Sequence, residues 1–372
     1  MLSYFRRMMI RSGMKWKRVV LLLSIVLMGF VFVLSSRSRG LHTDVFQFSD
    51  NSVVSNIMKA IQPSTRAVVL PDNDTAYVQP EESKSCQDSG NRQFLLFMFT
   101  SAPKNFERRK SIRIVLDEQL TTWEKIVAKE YPEFKVGSSI KALFFVGDSE
   151  GASEEFVGRL TTESNVNGDM IFDNFTESYL NLTIKTLRML KWVNRHCGNV
   201  RYMVKIDDDV YLNTPLLLNF LLGLDIPTGA NLIAGHKYKN IRIDSDPSSK
   251  WYTPHFLWVA GSFPDFVGGF NYILGSTARA DLYHSALNNP LFHLEDVFLT
   301  GMVRESHLKV GVVDIPEIYV GWNIKDKFTT FPCHFLHNIV TIHSLTASEI
   351  KCYRRMEEFC QNFPFLPLIL LC

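Results

Sequence analysis

The chain has 372 residues, enough to bury one large core or two ordinary ones. Its 40 Lys and Arg face 38 Asp and Glu, a formal net charge of +2, so no basic field argues for a nucleic-acid partner. At 12% aromatic the composition is aromatic-rich and, apart from one end, that of an ordinary globular protein.

The amino end departs from that texture. Residues 19–34 (VVLLLSIVLMGFVFVL) are sixteen residues without a charge. Arg6, Arg7, Arg11, Lys15, Lys17 and Arg18 precede the run and only Arg37 and Arg39 closely follow it. That bias predicts a cytosolic amino terminus, with everything after the run on the other side of a membrane. As a helix the run would span roughly 24 Å, which suits a thin, early secretory bilayer better than a plasma membrane. A cleaved signal peptide is the competing reading, but the run is long for one and Ser35-Ser36-Arg37 is a poor cleavage site.

The expected organisation is therefore a cytosolic tail (1–18), a signal anchor (19–34), a luminal stem (35–91), a catalytic domain (92–352) and a tail of no assigned role (353–372). The stem is rich in Ser, Asp, Asn, Gln and Pro and lacks periodicity, which reads as extended or partly disordered. Three sequons make Asn73, Asn174 and Asn181 candidate glycosylation sites in a luminal chain. The six cysteines show no zinc-type spacing. Some are expected to pair in an oxidising lumen, in a connectivity the sequence leaves open.

Beyond residue 92, strands and helices alternate. The continuous apolar runs 94–99 (FLLFMF) and 140–146 (IKALFFV) predict strands covered on both faces, and 107–130 between them predicts a helix. Residues 176–192 place Tyr179, Leu182, Leu187 and Leu190 at helical spacing, with Thr176 as the N-cap. The fold class expected is an α/β sandwich with a largely parallel sheet.

Residues 201–213 (RYMVKIDDDVYLN) hold the strongest local signal. Tyr202, Met203, Val204 and Ile206 read as a short, buried, central strand that runs straight into Asp207, Asp208 and Asp209. Three adjacent carboxylates repel one another, so either the triplet is a solvated turn or a cation neutralises it, and carboxylates suit magnesium or manganese. An EF-hand is excluded, because Gly and Glu are missing at its sixth and twelfth positions.

Three later segments join it. Gly268-Gly269, beside aromatics, mark either a tight turn or close approach of the backbone to a flat group such as a sugar. Glu295 and Asp296 precede a helical stretch, where acids also serve as caps. His343 ends a third β-favouring run.

In order, these pieces resemble the β1,3-galactosyltransferases, type II Golgi enzymes of glycosyltransferase family 31 that include β1,3-N-acetylhexosaminyltransferases. The matching residues are ERRKSIR (107–113), FFVG (144–147), DNFTESYLNLTIKT (173–186), LKW (190–192), Cys197, YMVKIDDDV (202–210), KWY (250–252), Gly268-Gly269, EDV (295–297) and Gly301. The resemblance implies a GT-A fold, with the acid triplet as its D-x-D motif and Mn²⁺ as cofactor. On it, Asp209 and His343 are the metal ligands, and Asp207, Asp208, Lys205 and Arg113 face the donor. Trp251, Gly268, Gly269 and Glu295 border donor and acceptor, and Asp296 is the catalytic base.

The implied reaction is inverting transfer of galactose, or an N-acetylhexosamine, from a UDP-sugar to the 3-hydroxyl of a glycan on lipid or protein. The implied location is the Golgi membrane, and assembly with itself or another transferase stays open. An inactive luminal binding protein is the alternative, as is a Ca²⁺ lectin or a hydrolase using Asp207 and Asp296.

Two departures matter. The family's I-R-x-T-W reads Ile112-Arg113-Ile114-Val115-Leu116, and its Pro-Pro-Tyr-Cys loop reads Phe263-Pro264-Asp265-Phe266-Val267. A disulfide through Val267 cannot form. The apolar tail 359–372 is too short to span a membrane.

Overall fold

Strand β2 (Leu95–Ser101), buried along its whole length, lies at the centre of the larger sheet. A computed structural model describes residues 76–78, 86, 93–127, 136–148, 151–225, 229–315, 318–320 and 332–362. The remaining elements follow in chain order after β1 (Ala76–Val78) and β2. They are α1 (Phe106–Val127), α2 (Val136–Ser139), β3 (Ile140–Asp148), α3 (Glu154–Asn167), β4 (Met170–Thr176) and α4 (Leu182–His196). Next come β5 (Tyr202–Asp207), β6 (Tyr211–Leu212), α5 (Thr214–Leu222), β7 (Ile233–Tyr238), β8 (Phe266–Gly275) and α6 (Ser276–Ala286). The wide, π-type helix α7 (Val297–Leu308), β9 (Val313–Asp314), β10 (Ile318–Val320), α8 (Pro332–Asn338), β11 (Thr341–His343) and α9 (Ala347–Asn362) complete the set.

The larger sheet has the order β1-β4-β3-β2-β5-β8-β7-β9. Its centre, β4-β3-β2-β5, is parallel, while β8 runs antiparallel to both β5 and β7. Parallel strands need cover on both faces, and period-2 alternation supplies it. Leu95, Phe97 and Phe99 pack with Ile112, Val115 and Trp123 of α1 and Leu217 of α5. Leu96 and Met98 point the other way, into Leu187 and Leu190 of α4, Leu282 of α6 and Phe298 of α7. Each such side chain stabilises the fold by roughly 1.5–3 kcal/mol.

The expected α/β architecture with a mostly parallel sheet is met. Three local expectations are corrected. Thr176 caps no helix: it ends β4, and a 3₁₀ turn (Tyr179–Asn181) intervenes before α4. β1 lies inside the stretch read as stem, yet pairs antiparallel with β4, and Cys86 is disulfide-bonded to Cys197, so the folded body reaches back past residue 92. Gly268-Gly269 form no turn but lie within β8.

A second disulfide joins Cys333 of α8 to Cys360 of α9. Among the described residues no helix is long and apolar enough to cross a membrane; the run 19–34 lies outside them, as does Asn73.

Candidate active site

β5 delivers the acid triplet to the carboxyl edge of the sheet, where open α/β sheets hold ligands. Its neighbours at that edge meet each acid differently. Thr100, opposite Asp207 in the β2–β5 register, donates to Asp207 Oδ1 at 2.7 Å. Lys205, buried one turn of the pleat earlier, donates to the same oxygen at 2.6 Å and to the Gly269 carbonyl. Burial pushes the Asp207 carboxyl up, but Lys205 and Thr100 outweigh it and hold the pKa below the ordinary range.

Asp208 points away into protein. Ser101 Oγ (2.6 Å) and Asn105 Nδ2 (2.8 Å) donate to its Oδ2, and Arg108 to its Oδ1 at 3.2 Å. Burial still raises its pKa. Asp209 differs from both: its buried Oδ1 has no hydrogen-bond donor and lies 3.3 Å from His343 Nε2.

His343 is brought there by the small sheet β10-β11-β6, in which Tyr211 pairs with Ile342 and Leu212 with Thr341. Leu345 N donates to the Asp209 carbonyl at 2.9 Å, and Phe270 stacks on the imidazole at 4.7 Å. Ser344 turns the chain there through a left-handed φ of 70°. Ligand atoms of Asp207, Asp209 and His343 all lie within 4.8 Å of one another. Two carboxylates, one imidazole and a buried oxygen without a donor fit a hard divalent cation.

The second half of the site is built on β8. Between the pairs Gly235–Tyr272 and Lys237–Val267, a single residue of β7 opposes four of β8, so the strand bulges at Gly268–Asn271. Gly269 N donates to Asp296 Oδ2 at 2.9 Å, while Val297 N caps onto Asp296 Oδ1 at 2.9 Å. A Cβ on Gly269 would sit 3.2 Å from Glu295 Oε2 and 3.3 Å from Asp296, so a side chain there would require both acids to shift by a few tenths of an ångström. One on Gly268 would meet the rings of Phe270 and Tyr238 at 2.8 and 2.9 Å. The flat groups close to this backbone are thus the protein's own.

Tyr272 donates to Glu295 Oε1 at 2.6 Å. Burial, with repulsion from Asp296 and against the attraction of Lys205, lifts the Glu295 carboxyl to about 7. Burial also raises Asp296, opposed by the two backbone N–H bonds. The cap reading of this acid pair is met, with Asp296 as the N-cap of α7.

Tyr179, expected on a core stripe, is instead partly exposed. Burial raises its phenol, with Asp296 and Asp207 adding to the effect, which places it in the field of both halves. Lys250 lies over the Tyr179 ring at 5.5 Å and over Trp251 at 4.6 Å, so Trp251 borders the site from the loop before β8.

Arg113 is a correction. Its guanidinium is bidentate to Asp169 at 2.7 and 2.8 Å and bonds Glu163 at 2.7 Å, so it ties α1 to the end of α3 instead of meeting the acid triplet. The arginine at the triplet is Arg108, one helical turn earlier.

Of the two described sequons, Asn174 and Thr176 are exposed. Asn181 spends its amide on the Thr176 carbonyl (2.8 Å), and its Thr183 is buried against the Phe292 carbonyl (2.7 Å).

Sequence reasoning missed Thr100, Ser101, Asn105 and Arg108. The end of β2 and first turn of α1 were readable as one strand–helix junction, but which strand flanks β5 was not.

A family model described as galactosyltransferase matches residues 107–315. The chain belongs to the galactosyltransferase family. It is 30% identical over 251 residues to lactosylceramide 1,3-N-acetyl-beta-D-glucosaminyltransferase of Rattus norvegicus, covering 67% of this chain and 62% of the relative. It is 27% identical over 282 residues to beta-1,3-galactosyltransferase 2 of Homo sapiens, covering 76% and 62%. The match thus spans 62% of the length of these relatives. The apo structure of the bifunctional glycosyltransferase WbbM aligns with a TM-score of 0.40 at 12% identity, over 70% of this chain and 47% of that one. His343, α8 and α9 lie beyond the family match.

Proposed function

We propose that this chain is an inverting, metal-dependent β1,3-glycosyltransferase of GT-A type, moving galactose, or else an N-acetylhexosamine, from a UDP-sugar to the 3-hydroxyl of an acceptor glycan. The observation that carries this reading is the placing of Asp207, Asp209 and His343 in one cluster, with the Lys205–Gly269 contact linking it to Asp296. Similarity to both a galactosyl- and an N-acetylglucosaminyltransferase supports the reaction class and leaves the sugar to experiment.

Asp207, Asp209 and His343 would hold Mn²⁺, which when bound supplies fixed positive charge to the leaving diphosphate. Lys205 keeps Asp207 ionised for that task. Asp296 would take the proton of the acceptor hydroxyl as that oxygen forms its bond to the anomeric carbon and the bond to UDP breaks. Gly269 N and Val297 N hold the Asp296 carboxylate in one orientation, and its raised pKa makes it a better proton acceptor than an ordinary aspartate. Tyr179 and Trp251 offer aromatic faces beside this base for the acceptor sugar.

The apolar run 19–34 with its flanking charges and the disulfides Cys86–Cys197 and Cys333–Cys360 support a type II protein with its catalytic body in the Golgi lumen.

The test is UDP release by the full-length chain in detergent with Mn²⁺, three UDP-sugars and a panel of acceptors. Acceptor-dependent release from one donor, stopped by chelator, is expected. Release indifferent to acceptor and chelator would overturn the proposal.

A further inference from the structure

The carboxyl-terminal helix α9 buries a carboxylate that the reaction does not use. Glu357 is 2% exposed, and its Oε2 accepts from Tyr211 Oη at 2.7 Å, Gln119 Nε2 at 2.9 Å and an Arg354 guanidinium nitrogen at 3.2 Å. Three donors converging on one buried oxygen define a fixed point.

Through Tyr211 that point adjoins the small sheet next to the candidate metal ligands. Tyr211 follows Asp209 by two residues and pairs in register with Ile342, the neighbour of His343. Gln119 passes the connection on through its Oε1, which accepts from Thr214 Oγ1 at 2.8 Å, at the start of α5. Asn213 N, just before it, donates to Val340 O at 2.8 Å, ahead of β11. One carboxylate on α9 therefore braces β6, which starts two residues after Asp209, and through the β6–β11 pairing the strand that ends in His343. The Cys333–Cys360 disulfide ties the same helix to α8, which leads into β11.

We propose that Glu357 is a positioning residue for the divalent-cation centre, acting through Tyr211 to set the spacing of Asp209 and His343. The inference rests on the reading of those residues as metal ligands. Asp209 and His343 come from segments far apart in the chain and their small sheet is only three strands wide, so their separation depends on what backs the sheet. Partners hydrogen-bonded directly to a metal ligand are worth on the order of ten- to a hundredfold in metal affinity, and a residue one contact further back is expected at the low end of that range.

The experiment measures Mn²⁺ dissociation constants by paramagnetic resonance, together with Tm and turnover, for the full-length chain and its variants Glu357→Gln, Tyr211→Phe and the pair combined. Tyr211→Phe deletes one hydroxyl and keeps the ring. Arg279→Lys serves as the comparison, since it weakens a buried guanidinium bonded to Asn194 and Gly198 away from the site. We expect Mn²⁺ affinity to fall about tenfold in Glu357→Gln and severalfold in Tyr211→Phe, with the double variant no worse than the weaker single. Turnover should return near the wild-type value at saturating Mn²⁺, and Arg279→Lys should lower Tm alone. Lowered Tm with unchanged Mn²⁺ affinity in both site variants overturns the inference and leaves the metal reading standing. A wild-type chain that binds no Mn²⁺ overturns both.

Discussion

The two acidic ends of the site treat their carboxylates in opposite ways. At the triplet, Lys205 and Thr100 hold Asp207 below its usual range, and Asp209 keeps one buried oxygen without a donor. At the Glu295–Asp296 end, burial raises both acids, and the donors are a phenol and two backbone N–H groups rather than a salt bridge. The first arrangement keeps charge available for a cation, and the second raises proton affinity. Similar residues thus acquire different proton affinities according to what surrounds them. Lys205 touches both halves, through Asp207 and the Gly269 carbonyl.

The sharpest way to break this division is Gly269→Ala. A methyl there meets Glu295 and Asp296 at 3.2–3.3 Å, so it should displace the base and leave the cluster of Asp207, Asp209 and His343 in place. Turnover at saturating Mn²⁺ is expected to fall about a hundredfold, the scale of a misplaced reacting group, with Mn²⁺ affinity unchanged. Loss of Mn²⁺ binding in this variant would show that the halves are not separable.

A smaller effect tests the raised acid. Glu295 rises from 4.5 to about 7 on folding, so between those values the native chain holds a proton that the unfolded chain has released. Its contribution therefore makes stability fall as pH rises through that window. In Glu295→Gln this part of the slope should vanish from Tm measured between pH 5 and about pH 8. An unchanged slope would mean that Glu295 is ionised in the native protein.

Much of this was legible in the chain itself. Runs of apolar residues at 94–99 and 140–146 marked central strands because burial on both faces leaves no room for alternation. The triplet, Glu295-Asp296 and His343 are each ambiguous alone and read as a candidate site only as an ordered set. What the sequence could not show was pairing order. Ser101 and Arg108 reach Asp208 only because β2 lies beside β5. Arg113 has the same side chain as Arg108, yet its place on α1 turns it toward Asp169. Tyr179 fitted a helical stripe, but a 3₁₀ turn carries it out to the site. The stem's strand β1 was hidden because three residues are too short to show a period.

The division of labour is tested most directly by comparing Asp209→Ala with Asp296→Asn for Mn²⁺–UDP binding, by calorimetry, and for sugar transfer. Asp296→Asn is expected to bind Mn²⁺ and UDP as the wild type does while transfer falls by a factor of about 10² to 10⁴. Asp209→Ala should lose metal-dependent UDP binding and transfer together. Full transfer by Asp296→Asn, or unchanged Mn²⁺-dependent binding by Asp209→Ala, would contradict the account.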